Sequence, residues 1–267
     1  MSAALKVWVT GIGLLGPGMT SWAAARDVLR GTYPYASAPT VLPAPARLPP
    51  AERRRAGGAV KLALAIADEA VVQARIDPAT LATVFTSSSG EGVNCHALCE
   101  TLATPAPMVS PTRFTNSVHN AAAGCWHIAV ASRASSTSLC AFDGSFSAGL
   151  IEAATSVRLS GDPVLLVASD SPYPEPLHAT RPLPDHFGAA LVLAPGPSAD
   201  ALAELTLSFD ASAEGGSTCD DPALEALRQV VPAARALPLL GALARPRAMQ
   251  RIVLDYLPHL RVRVELA

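Results

Sequence analysis

Ser136-Thr-Ser-Leu-Cys140-Ala-Phe142-Asp143-Gly144-Ser145-Phe-Ser147-Ala-Gly149 holds a β run, a tight turn and the opening of a helix. Ser136 to Ala141 reads as a strand and Phe142-Asp143-Gly144 as the turn. The alanine- and leucine-containing stretch of about 145–159 reads as a helix packed on a sheet. A side chain at such a turn meets free amides and the positive end of the helix dipole, where a cysteine thiolate is favoured. Here the position holds Asp143, whose own chemistry reads as a helix N-cap worth about 0.5–2 kcal/mol. Ser147-Ala-Gly149 lacks the leading glycine of a hydrolase nucleophile elbow, because position 145 is serine.

On either side, strands alternate with helices. Lys6–Thr10, Ala82–Thr86, Pro163–Ser169 and Gly188–Ala194 read as β runs, the last two apolar enough to be buried on both faces. Further β runs are expected near 201–209, before a polar Gly-Ser loop, and near 251–256 and 260–266. Helices are expected over 21–29, 57–76, 91–103 and 115–132, with one or two over 221–243. Residues 33–50 hold six prolines and read as an irregular surface excursion. The pattern predicts an α/β fold, a mixed and mostly parallel sheet with helices on both faces.

The composition narrows the function. Twenty basic and 22 acidic residues give a formal charge of −2, which offers no footprint for nucleic acid or an anionic membrane. With 16% charged and 50% hydrophobic residues the chain is not disordered, and it has no apolar run of membrane-spanning length and no signal-peptide pattern. A soluble, cytoplasmic protein is expected. Cysteines 95, 99, 125, 140 and 219 are odd in number and irregular in spacing, which predicts reduced thiols. Cys95-His96 and Cys99-Glu100 lack the second ligand pair a zinc site needs, so no metal is expected. Gly11-Ile-Gly13-Leu-Leu-Gly16 matches a dinucleotide fingerprint in letters. No acidic strand end follows it, and Pro17 interrupts the helix, so it reads as a glycine turn and no cofactor is expected. His119 and His127, eight apart, share one helix face and read as core or interface histidines. Asp185-His186-Phe187-Gly188, before a central strand, is the better pocket candidate. Arg53-Arg54-Arg55 reads as a solvated helix start, or a contact for an acidic partner.

Taken in order, these motifs resemble the N-terminal half of the β-ketoacyl synthases, with their thiolase-like fold. Val9-Thr-Gly-Ile-Gly13 is similar to the family's opening strand and turn, and Arg53–Arg55 to its basic helix start. Val84-Phe-Thr-Ser-Ser-Ser-Gly-Glu-Gly92 resembles its second-strand glycine loop. Asn116-Ser-Val-His-Asn-Ala-Ala-Ala-Gly124 resembles its dimer-interface helix. Ser136–Gly149 resembles the strand, elbow and helix of its active-site cysteine, and His186-Phe-Gly-Ala-Ala-Leu-Val-Leu193 its return strand. The resemblance covers about 5–195. It implies one ketosynthase-like domain over 1–267, equivalent to half of a ketosynthase with a C-terminal extension of about 196–267.

Counted without gaps from Asn120 through Arg133, Asp143 falls on the family's cysteine position. A carboxylate cannot carry the acyl thioester of a condensing enzyme. The family's catalytic histidines come from its second half, and here His259 is the only histidine after the fifth β run. The resemblance therefore implies no catalytic residue. It points to a chain-length-factor type of subunit that pairs with a full-length β-ketoacyl-ACP synthase, as a heterodimer or larger, in fatty-acid- or polyketide-like (aryl polyene) biosynthesis. Acyl carrier protein would be met through that complex. Phe114, Val118 and Trp126, with Phe142 at the elbow, are the implied acyl-tunnel residues, ordinary core being their alternative. His119, Asn120, Asp143, His186 and Phe187 complete the tunnel and interface candidates. A missing second half leaves apolar sheet surface that a partner or the short tail must cover. Two alternatives stay open: acyl transfer on Cys140 or Cys125, and a stand-alone module binding an acyl thioester or acyl carrier protein.

Overall fold

The computed structural model describes residues 4–211, 215–246 and 249–267; part of the expected Gly-Ser loop, 212–214, lies outside them. β1 (Leu5–Leu15) is followed by α1 (Trp22–Leu29), the short α2 (Pro50–Arg55) and α3 (Gly58–Ala74). Next come β2 (Ala82–Thr86), α4 (Gly92–Leu102), α5 (Pro111–Thr115), α6 (Ala121–Ala129) and β3 (Ser136–Leu139). α7 (Ser145–Ser160), β4 (Val164–Asp170), α8 (Leu177–Thr180) and β5 (Phe187–Ala194) complete the first part. β6 (Ala203–Asp210), α9 (Pro222–Val230), α10 (Leu237–Ala244), β7 (Gln250–Leu257) and β8 (Leu260–Leu266) follow.

All eight strands form one sheet in the order β3-β2-β4-β5-β1-β6-β8-β7. The mixed α/β class holds, but its expected parallel majority does not. Only β2–β3 and β2–β4 run parallel; the other pairings are antiparallel. The reason is topological: β4 returns to β5 without a long crossover helix, and the tail adds its strands as antiparallel neighbours beyond β1.

Side chains of β2, β4 and β5 alternate between two cores. Val84, Leu166 and Leu191 face α7, while Phe85, Leu165 and Val192 face α3 and Trp126. α7 lays Phe146, Leu150, Ala153 and Val157 on its face, and the tail's Ala233, Leu237 and Leu240 join the same core. The tail thus supplies cover for the apolar sheet face.

Three local expectations are corrected. The glycine-rich run is no turn, since β1 continues through it. A Cβ on Gly11 would lie 2.1 Å from the Ala70 carbonyl oxygen, and one on Gly13 1.9 Å from that of Ile66. The glycines let α3 sit directly on the strand. The long helix expected over 115–132 shrinks to α6: α5 ends at Thr115, residues 116–120 form turns and bends, and α6 stops at Ala129. The arginine run forms α2, separate from α3. Arg53 Nη2 donates to the carbonyls of Ala46 (2.7 Å) and Leu48 (3.0 Å), pinning the proline-rich excursion.

Candidate functional site

At the end of β3 the chain turns sharply. Phe142 takes φ +52, a conformation a bulky residue adopts only under local constraint. Ser145 supplies that constraint: its Oγ accepts from the Ala141 amide (3.1 Å) and donates to the Phe142 carbonyl (2.7 Å). Thr86 Oγ1 donates to the Ser145 carbonyl at 2.9 Å, tying the turn to β2. A Cβ at Gly144 would come within 2.5 Å of the Tyr256 carbonyl oxygen, so β7 closes on the turn from the other side.

Asp143 is not the N-cap of α7. Gly144 holds that place, with no side-chain cap bond. The Asp143 carboxylate accepts instead from Arg181 and, at 3.0 Å, from Arg235 Nη2. Two fully charged guanidinium donors outweigh one backbone amide, which accounts for the correction. The Arg181 guanidinium also lies 3.7 Å over the Phe142 ring, a cation–π contact. The elbow thus carries a carboxylate clamped by two cations from distant parts of the chain. Sequence reasoning missed both arginines, which stand 38 and 92 residues from Asp143 and carry no local signal.

Asp170, also missed, organises the loops beside the elbow. It is fully buried at the end of β4 and accepts from the Ser88 amide (2.8 Å), Ser88 Oγ (2.7 Å) and the Ala233 amide (2.8 Å). Burial pushes its carboxyl above the usual carboxylate range. An acid directly after a wholly apolar strand was the signal that could have found it. Cys140 Sγ donates to the Ser88 carbonyl at 3.2 Å and is exposed, and His119 Nε2 stands 3.3 Å from the Ser87 carbonyl. Cys140 and His119 therefore each contact the Ser87–Ser88 loop.

The other candidates are dispersed. Phe114, Val118 and Phe142 are exposed, at 62%, 44% and 63%. His119 and Asn120 line an open cleft of about 430 Å³ with Gly124, His127, Ser136 and Ser138, between α6 and the edge strand β3. Trp126 is fully buried in the core under α3, with no hydrogen-bond partner for Nε1. Phe187 is buried in the other core, against Gly16. His186 Nδ1 lies 2.9 Å from Ser171 Oγ, and burial pushes its pKa down. Burial likewise raises the Cys125 thiol. Among the described residues no cluster of three His, Cys, Asp or Glu is placed to hold a metal ion, and no helix is long and apolar enough to cross a membrane.

Known proteins place this architecture. A ketosynthase in complex with its chain length factor from Xenorhabdus doucetiae superposes with a TM-score of 0.72 at 24% identity, covering 98% of this chain and 99% of that one. The ishigamide ketosynthase/chain length factor gives 0.70 at 15% identity, over 98% and 99%. A type II polyketide acyl carrier protein complex with its hexaketide-bound ketosynthase gives 0.72 at 12% identity, over 99% of each chain. At these identities the likeness shows the thiolase-like ketosynthase fold. No curated protein matches the sequence. The model of the β-ketoacyl synthase N-terminal domain matches residues 22–240, most of the chain, and the protein therefore belongs to the β-ketoacyl synthase family.

Proposed function

We propose that this chain is a non-catalytic, chain-length-factor type of subunit that pairs with an active β-ketoacyl-ACP synthase and shapes its acyl tunnel. The observation that carries the reading is Asp143, a carboxylate clamped by Arg181 and Arg235 where acyl transfer needs a free thiol. The solved relatives support it, being complexes of ketosynthases with chain length factors or a carrier protein. So does the β3 side of the sheet. β3 is an edge strand, the cleft of His119 and Asn120 opens beside it, and Phe114, Val118 and Phe142 are exposed on the segments flanking it. We assign these residues to contacts with the partner and its acyl chain, His186 and Phe187 to the support of the site, and 1–267 to one ketosynthase-like unit. The pathway we assign is bacterial type II assembly of the aryl polyene kind, in the cytoplasm.

The test is intact mass of the chain, alone and co-expressed with a full-length ketosynthase, after incubation with acyl-loaded carrier protein. The reading requires that the two chains co-purify and that only the ketosynthase gains the acyl mass. Acyl mass on this chain would assign it a transferring cysteine and overturn the proposal.

A further inference from the structure

β1 lies four strands along the sheet from the edge strand β3, and beside its end a cavity of about 840 Å³ opens between α1, α3 and residues 41–47. That volume is in the range of sites that enclose a small ligand. Its walls are mainly apolar: Leu14, Leu15, Trp22, Leu64, and at the mouth Val41 and Val72, which are 78% and 62% exposed. The proline-rich wall is fixed in place. Arg53 holds the carbonyls of Ala46 and Leu48, and the Thr40 amide donates to Asp185 Oδ2 at 2.8 Å.

The charges of the lining fall into two groups. Asp68 is paired with Arg47. Glu69 accepts from the amides of Leu14 (2.9 Å) and Trp22 (2.7 Å), and Gln73 Oε1 from the amide of Ile12 (2.8 Å). Every acceptor among these is thus engaged. Arg26 and Lys61, also in the lining, have no ion-pair partner among the described residues. The cavity presents an apolar interior, two uncommitted cations and no uncommitted anion.

We propose that this cavity binds an amphipathic carboxylate, its apolar body against the apolar lining of Leu14, Trp22, Leu64 and Val72 and its carboxylate on one of the two uncommitted cations, Arg26 or Lys61. The site is separate from the elbow and from the partner-facing edge.

Titrating the full-length chain with laurate below its micelle threshold, by calorimetry and by the fluorescence of Trp22 and Trp126, tests it. One saturable site is expected. Dodecanol, with the same body and no charge, should bind at least about tenfold more weakly, the size of one charge-assisted hydrogen bond. Arg26→Gln with Lys61→Gln should weaken laurate by a similar factor and leave dodecanol unchanged; Arg26 is exposed, Lys61 is half-buried, and neither has an ion-pair partner among the described residues, so the fold does not rest on their charges. Ala65→Trp, on the cavity wall beside Leu64, should block both ligands. No saturable binding, equal affinity for dodecanol, or indifference to the charge variants overturns the proposal. So does a change in self-association or ketosynthase pairing in the charge variants without laurate binding, which would make the groove a protein contact.

Discussion

Replacing Asp143 with cysteine puts a thiol at the turn into α7 and removes the acceptor of two guanidinium groups. Asp143 is 39% exposed and its arginines 21% and 20%, so solvent screening holds each ion pair to about 0.5–1 kcal/mol. Losing both costs about 1–2 kcal/mol, or roughly 2–8 °C in Tm for a chain of this size. The same geometry activates the new thiol, because Arg181 and Arg235 are left without an acid and the helix dipole points at it. Alkylation by iodoacetamide at pH 7, followed by intact mass in Asp143→Cys and in the same variant with Cys140→Ser, should show position 143 reacting faster than Cys140. The variant is expected to accept acyl groups from a carrier protein yet give no condensation on its own, since the resemblance places the family's catalytic histidines in the second half, where this sequence has only His259. An unchanged Tm together with a thiol no more reactive than Cys140 would refute the clamp. Condensation by the variant alone would refute the non-catalytic reading.

Gly13→Ala should destabilise by about 1–3 kcal/mol or more, because its Cβ meets the Ile66 carbonyl at 1.9 Å; urea unfolding with an unchanged m-value measures it. Burial raises the Glu91 carboxyl and leaves Oε2 without a partner. That acid contributes most when protonated and loses ground as pH rises, so Glu91→Gln should have a higher Tm than wild type at pH 7 and lose the advantage below pH 4.5. Glu225 behaves oppositely: hydrogen bonds from Arg228 lower its pKa to about 2, giving stability that is present above 4.5 and lost as pH falls through about 2. Glu225→Gln should flatten acid unfolding in that window. Trp126→Ala, which empties a core site, should cost about 3–5 kcal/mol. Phe114→Ala, at an exposed position, should leave Tm unchanged and lengthen the product chain made by the complex; an unchanged product distribution with an intact complex removes Phe114 from the tunnel.

The central strands and helices were legible because their signals are local. Val164–Ser169 and Gly188–Ala194 are short apolar runs bounded by turns, and α3 presents a broad apolar face over Val60–Val71. Gly11 and Gly13 misled because glycine marks a turn and a close approach with the same letter; which one applies depends on a helix some fifty residues later. Asp143 could be placed at its turn from spacing, but its role depended on Arg181 and Arg235, which only the tertiary fold delivers. Strand direction was equally hidden, since an apolar run reads the same whichever way its neighbour points.

The sheet with two unlike faces has a consequence for how this protein can change. Val84, Leu166 and Leu191 belong to one core and Phe85, Leu165 and Val192 to the other. The groove at Arg26 and Lys61 takes Leu14 and Trp22 from the first core and Leu64 and Trp126 from the second, so its apolar floor is shared, while its charges and the Asp143 clamp have no partner in common. Substitutions that share no partner and lie well apart add in their free energies. The charges of the groove and of the Asp143 turn can therefore be varied in one library and analysed as independent factors, whereas a change at Leu14 or Trp22 reaches the core in which α7 also packs.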